Sequence, residues 1–212
     1  MNIYEIMTIS HVIFTILALL SGLIAIIVNP KGGEVHKKSG RYYYYFYTGV
    51  ILTAFLMLTI KFKIFFFALT LFGTYLIVAG NYYAKKSEKI IAKNWWILSL
   101  LILTVFVYVI DAFFVIYNIE HIGLGWTIVR LTFAAIAVST LIFELSIKRN
   151  RILLHATLML LSFIPLINGL LARLSPSEYI WVSWILGYVV FIPLIILWFK
   201  MSKKLQTFLN RQ

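Results

Sequence analysis

Seven apolar runs, each close to 20 residues long, dominate this chain: Met7–Val28, Tyr42–Ile60, Ile64–Tyr83, Trp95–Tyr117, Gly125–Ile147, Ile152–Ala172 and Tyr179–Phe199. A helix needs about 20 mostly apolar residues to cross a bilayer core. So many such runs in a short chain cannot all be hidden in one water-soluble core. The balance of residues agrees, with 62% hydrophobic and only 12% charged, where a soluble domain has roughly 45–50% and about 25%. The expected fold is therefore an all-α integral membrane protein, a seven-transmembrane-helix bundle forming one domain over residues 1–212. The first run is expected to remain as a span. It has no basic segment before it, carries Glu5 there, and shows no small-x-small cleavage pattern. Between the second and third runs, Lys61–Lys63 leaves only a three-residue turn, and one long helix broken there is the alternative.

The polar stretch Asn29–Arg41, NPKGGEVHKKSGR, joins the first two runs. Pro30 cannot continue a helix without losing a hydrogen bond. The stretch reads as a tight loop on one membrane face, with His36 held beside Lys37 and Lys38 just below the headgroups. A tyrosine-rich run, Tyr42–Tyr47, follows it.

Loop charge sets the orientation. Fifteen of the nineteen cations fall in the first, third and fifth loops and the C-terminal tail, including Lys37, Lys38, Arg41, Lys85, Arg151 and Lys200. The other face has Lys61, Lys63 and Arg173, and Arg130 lies within a run. Cytoplasmic loops are the Lys/Arg-rich ones. This puts the N-terminus outside and the C-terminus in the cytoplasm, and an odd number of spans fits the alternation. A net charge of +12 would suggest nucleic acid in a soluble protein. Here the cations read as topology signals and contacts to anionic membrane lipid. No cysteine is present, which excludes disulfides, thiolate metal sites and cysteine nucleophiles.

Ionisable residues inside a bilayer are costly and usually face the bundle interior. Helical spacing aligns His11, Thr15, Ala18, Gly22 and Ala25 on one stripe. It does the same for Arg130, Ala134, Ala137, Leu141 and Glu144, for His155, Met159, Ser162, Leu166, Gly169 and Arg173, and for Thr104, Tyr108, Asp111 and Asn118. Small residues on such stripes read as packing seams; the charged ones ask for more. Depth sorts them into two tiers. His11, Asp111, Arg130, Asn168 and Arg173 fall in the outer third, with Glu120 and His121 in the loop above. His36, Asn81, Glu144 and His155 lie near the cytoplasmic face. The short Asn118–Leu124 connection makes its two helices antiparallel neighbours, and an Asp111–Arg130 ion pair is expected. Glu144 reads as an interfacial residue near Lys148 and Arg149.

The four histidines divide as His11 with His121 outside and His36 with His155 inside. Haem iron in b-type membrane cytochromes is held between two imidazoles, so each pair is a candidate ligand set for a b-type haem. The depth division argues against three histidines converging with a carboxylate on a hydrolytic zinc.

At the hinge, Lys31-Gly32-x-x-x-His36-Lys37-x-x-Gly40 resembles the Lys-Gly-x-x-x-His-Arg/Lys-x-x-Gly motif of a prokaryotic membrane family catalogued as domain of unknown function 2306. The early-helix histidine of that family is matched by His11, and its later His-x-x-x-Met and helix-end arginine by His155, Met159 and Arg173. Lys37 stands where arginine is more usual, which weakens any bidentate role there. The resemblance implies a small polytopic protein, in a bacterial cytoplasmic membrane, in which these residues act together; it implies no activity or substrate. The functions in contention are a haem-binding or redox protein, a transporter or proton-coupled carrier using Asp111, Arg130 and Arg173 in an outer cavity, and a component that binds lipid or a partner. Pro165 and Pro193 are the points where a carrier's helices would break.

Overall fold

A computed structural model describes residues 2–28, 32–85, 95–146, 151–176 and 179–190, with 192, 193 and 196. Described residues are all helical or connecting. The helices are α1 (Ile3–Ile27), α2 (Glu34–Ile60), α3 (Ile64–Lys85), α4 (Trp95–Tyr117), α5 (Ile119–Ile122), α6 (Leu124–Ser146) and α7 (Arg151–Leu174). A shorter apolar helix, α8, covers Ile180–Val190. Six of these, α1, α2, α3, α4, α6 and α7, are long and apolar enough to cross a membrane. The chain has the build of an integral membrane protein. The seventh expected run, 179–199, is represented by α8, and the second half of that run lies mostly outside the described residues.

The helix ends follow local chemistry more than hydropathy. α1 starts at Ile3, not Met7, because Asn2 and Glu5 form a reciprocal capping box: Asn2 accepts from the Glu5 amide at 2.9 Å, and the Glu5 carboxylate accepts from the Asn2 amide at 3.0 Å. The larger correction is at the hinge. α2 begins at Glu34, so His36, Lys37, Lys38, Gly40 and Arg41 form its first two turns instead of a loop. Hydropathy marks where lipid begins, but Glu, Lys and Arg are good helix formers in water, and Glu34 suits a helix N-terminus. The turn is made just before, at Gly32, whose φ of +78° favours glycine. Asn29, Pro30 and Lys31 lie outside the described residues. The Lys61–Lys63 break is present as expected: Lys61 leaves helical geometry with φ −132° and ψ 84°.

The core is built around α3. In its central window 61% of residues are buried, against 17% for α1. Helices α7, α4 and α2 surround α3, α6 packs on α4, and α1 forms a hairpin with α2. Phe65, Phe72, Tyr75, Tyr108 and Phe133 are the largest fully buried side chains. Their rings, with those of Trp184 and Tyr188 on α8, meet edge-to-face or stacked at 5.0–6.5 Å, as in Phe133–Tyr188 at 5.0 Å and Phe65–Tyr108 at 6.5 Å. Outside, α1 exposes Ile13, Leu20, Leu23, Ile24 and Ile27. Contiguous apolar surface of this kind needs a covering phase.

The small-residue stripes are indeed seams. Thr15, Ala18 and Gly22 are buried on α1, and Ala134 and Ala137 on α6. A Cβ at Gly22 would run into the Phe163 ring, which stacks on Tyr43 at 5.0 Å. Tyr43 donates to Ser162 Oγ at 2.6 Å while Ser162 donates to the Met159 carbonyl, tying α2 to α7. α7 runs unbroken through Pro165.

Candidate functional site

Polar side chains gather at the two ends of the bundle. Along α1, His11 and Ala25 are separated by about 21 Å at 1.5 Å per residue, and each belongs to a different group.

The first group sits where α1 and α3 end and α2 and α7 begin. His36, in the first turn of α2, places Nδ1 2.9 Å from the Ala25 carbonyl in the last turn of α1. That carbonyl is among those a helix C-terminus leaves without an internal partner. His155, in the second turn of α7, places Nδ1 2.8 Å from the Gly80 carbonyl of α3. The bare backbone at Gly80 lets α7 come close: a Cβ there would lie 3.2 Å from Met159 Sδ. A carbonyl only accepts, so Nδ1 carries a proton on both rings, and in the neutral ring Nε2 keeps the lone pair. A backbone acceptor on one ring nitrogen is the usual way to orient the other toward a metal. Neither Nε2 has a protein partner among the described residues.

The two rings lie 6.5 Å apart, centre to centre, with planes at 82°. With metal–nitrogen bonds of about 2.0–2.1 Å and ring nitrogens about 1.1 Å from the ring centre, a trans pair on one metal would sit about 6.3 Å apart and a tetrahedral pair about 5.1 Å. The observed separation suits a trans pair. Among the described residues no three His, Cys, Asp or Glu side chains gather as a metal site. Around the pair, Lys37, Lys38 and Arg41 are exposed and Arg151 is half-buried. Gly40 lies one turn beyond His36 on the same face, and a Cβ there would meet nothing within 4 Å. Glu144 belongs to the same end but is held by Tyr83, whose hydroxyl donates to Oε1 at 2.7 Å. Lys148 and Arg149, its expected neighbours, lie outside the described residues.

At the other end, Asp111 and Arg130 form the expected ion pair, Nη1 to Oδ1 at 3.1 Å, with Asp111 fully buried and the arginine side chain 19% exposed. Arg130 also lies over the Phe65 ring, 5.7 Å from its centre. The other residues of the expected outer cluster go elsewhere. Asn168, fully buried, donates to the Trp184 carbonyl at 2.6 Å and accepts from the Gly187 amide at 2.9 Å. Its role is to clamp α8 to α7, and a Cβ at Gly187 would collide with its Oδ1. Arg173 lines a separate cavity with His11. His11 donates from Nδ1 to Thr53 Oγ1 at 2.9 Å, because Thr53 gives its own proton to the Gly49 carbonyl. His121 is carried by α5, which packs on α6 and α4, while His11 faces α2. The side chain of His121 lies outside the described residues, so the outer histidine pair is not brought together by anything described.

Thr53, Tyr43 and Tyr83 are polar partners that spacing along single helices does not single out. Each acts across a helix boundary, and only lateral packing reveals that. No family model, no curated protein and no solved structure matches the chain at a significant level.

Proposed function

We propose that this chain is a b-type haem protein of the membrane that exchanges single electrons, with His36 and His155 as the two axial ligands. The observation that carries the reading is the 6.5 Å separation of two imidazoles whose Nδ1 atoms are both committed to backbone carbonyls. Two such rings could hold a haem iron through their Nε2 atoms, and the group would then supply single-electron transfer in preference to oxygen chemistry. The chain's own residues set the rest. Ala25 and Gly80 orient the rings, and Lys37, Lys38, Arg41 and Arg151 offer charge for two propionates at the bundle end. The reading includes seven spans, with α8 opening the last, an outside N-terminus, and residence in a bacterial cytoplasmic membrane. Its surroundings are lipid, and its loop cations contact anionic headgroups in preference to nucleic acid.

The transport reading has less support. α7 is continuous at Pro165, and Asp111 and Arg130 neutralise each other outside the cavity that Arg173 lines.

Purification in detergent after growth with ample haem precursor is expected to give coloured protein. Its haem content, measured as the pyridine complex, should approach one per chain. A colourless protein, with the polypeptide intact and haem available, would overturn the reading.

A further inference from the structure

A cavity of ≈ 300 Å³ lies between α1, α2, α3, α7 and α8, at the end opposite the His36–His155 pair. On α1 its lining runs from Tyr4 to Thr15, about 16 Å along the axis, so it is long for its volume. Its walls are mostly apolar, with Tyr47 and Gly73 at the deep end. Its mouth carries Lys61 and Arg173, and among the described residues no Asp or Glu lines it. Lys61 is held over the Tyr4 ring, 4.6 Å from its centre. Arg173 has no protein partner among the described residues. His11 also lines it part-way down, with its Nδ1 engaged by Thr53.

We infer that this cavity binds a long-chain fatty acid, its carboxylate between Lys61 and Arg173 and its chain along the apolar walls. Charge complementarity selects an anion, because two cations face one opening with no counter-charge among the described residues. An arginine fork matches a carboxylate with two parallel hydrogen bonds. The narrow volume selects a single chain over a two-chain phospholipid, and the apolar lining with few polar groups is the usual make-up of a small-ligand site.

The test uses the full-length protein in detergent and 9,10-dibromostearic acid, whose bromines quench tryptophan. Trp184 lines the cavity, and W184F identifies its share of the signal. The acid is expected to quench Trp184 with an affinity at least about tenfold tighter than its methyl ester. The K61Q/R173Q variant should lose that preference, and R173K should keep part of it. Both positions are at the exposed mouth, where substitution leaves the core intact. Equal affinity for acid and ester would overturn the inference, as would a preference that survives K61Q/R173Q. Quenching of Trp184 by brominated phosphatidylglycerol at as low a concentration as by the acid would also overturn it, since the site would then be an ordinary lipid contact.

Discussion

Replacing either His36 or His155 by alanine is expected to strip the protein of haem. Each ring supplies one of two axial bonds, and losing even an outer-shell partner of a metal ligand typically costs 10–100-fold in affinity. The loss of a ligand itself should exceed that, so haem content after purification should fall by more than about tenfold. His11→Ala should retain full haem content, because His11 stands about 21 Å away along α1, at the other end of the bundle. A glycine at position 155 with added imidazole should recover the spectrum, which a merely structural histidine would not. Haem retention in both alanine variants, or equal loss in His11→Ala, would remove His36 and His155 as the ligand pair.

The second large effect concerns stability. Asp111 is fully buried and has one cationic partner, Arg130 at 3.1 Å. Asp111→Ala leaves the arginine charge among Phe65 and the neighbouring aromatics. Removing one member of a buried pair costs about 3–5 kcal/mol, whereas replacing both by apolar residues of similar volume is often neutral or stabilising. The expected order of unfolding stability in detergent is therefore wild type and Asp111→Leu/Arg130→Met close together, with Asp111→Ala well below both. A double variant no more stable than the single one would mean that the pair contributes more than mutual neutralisation. Fully buried hydroxyls of Tyr75, Tyr108 and Tyr188 and Oδ2 of Asp111 have no protein partner among the described residues.

How far these features were legible in the sequence depends on what each contact needs. Asp111–Arg130 needed only depth and adjacency: a short connection forces two helices together, and counting residues from it sets both side chains at one level. His36 and His155 were placed at one level by loop charge alone, and the bundle brings their rings side by side. The helical start of α2 was hidden because hydropathy cannot distinguish a solvated helical turn from a loop. Asn168 and Arg173 share a helix and a depth with the expected outer cluster, yet they point to different neighbours. Asn168 meets α8, and Arg173 meets the α1–α2 cavity. Lateral direction around α7 decides that, and a 3.6-residue period read on one helix says nothing about which helix lies beyond each face. The cavity itself is a shape between five helices, and no single stretch encodes it.

Electron paramagnetic resonance of the oxidised, frozen protein tests the central claim most directly. Two imidazoles at 82° on one ferric iron should give a strongly anisotropic low-spin signal with one dominant feature far to low field, as near-perpendicular axial rings do. A high-spin signal, or the three-line rhombic spectrum of parallel rings, would contradict the geometry on which the His36–His155 site rests.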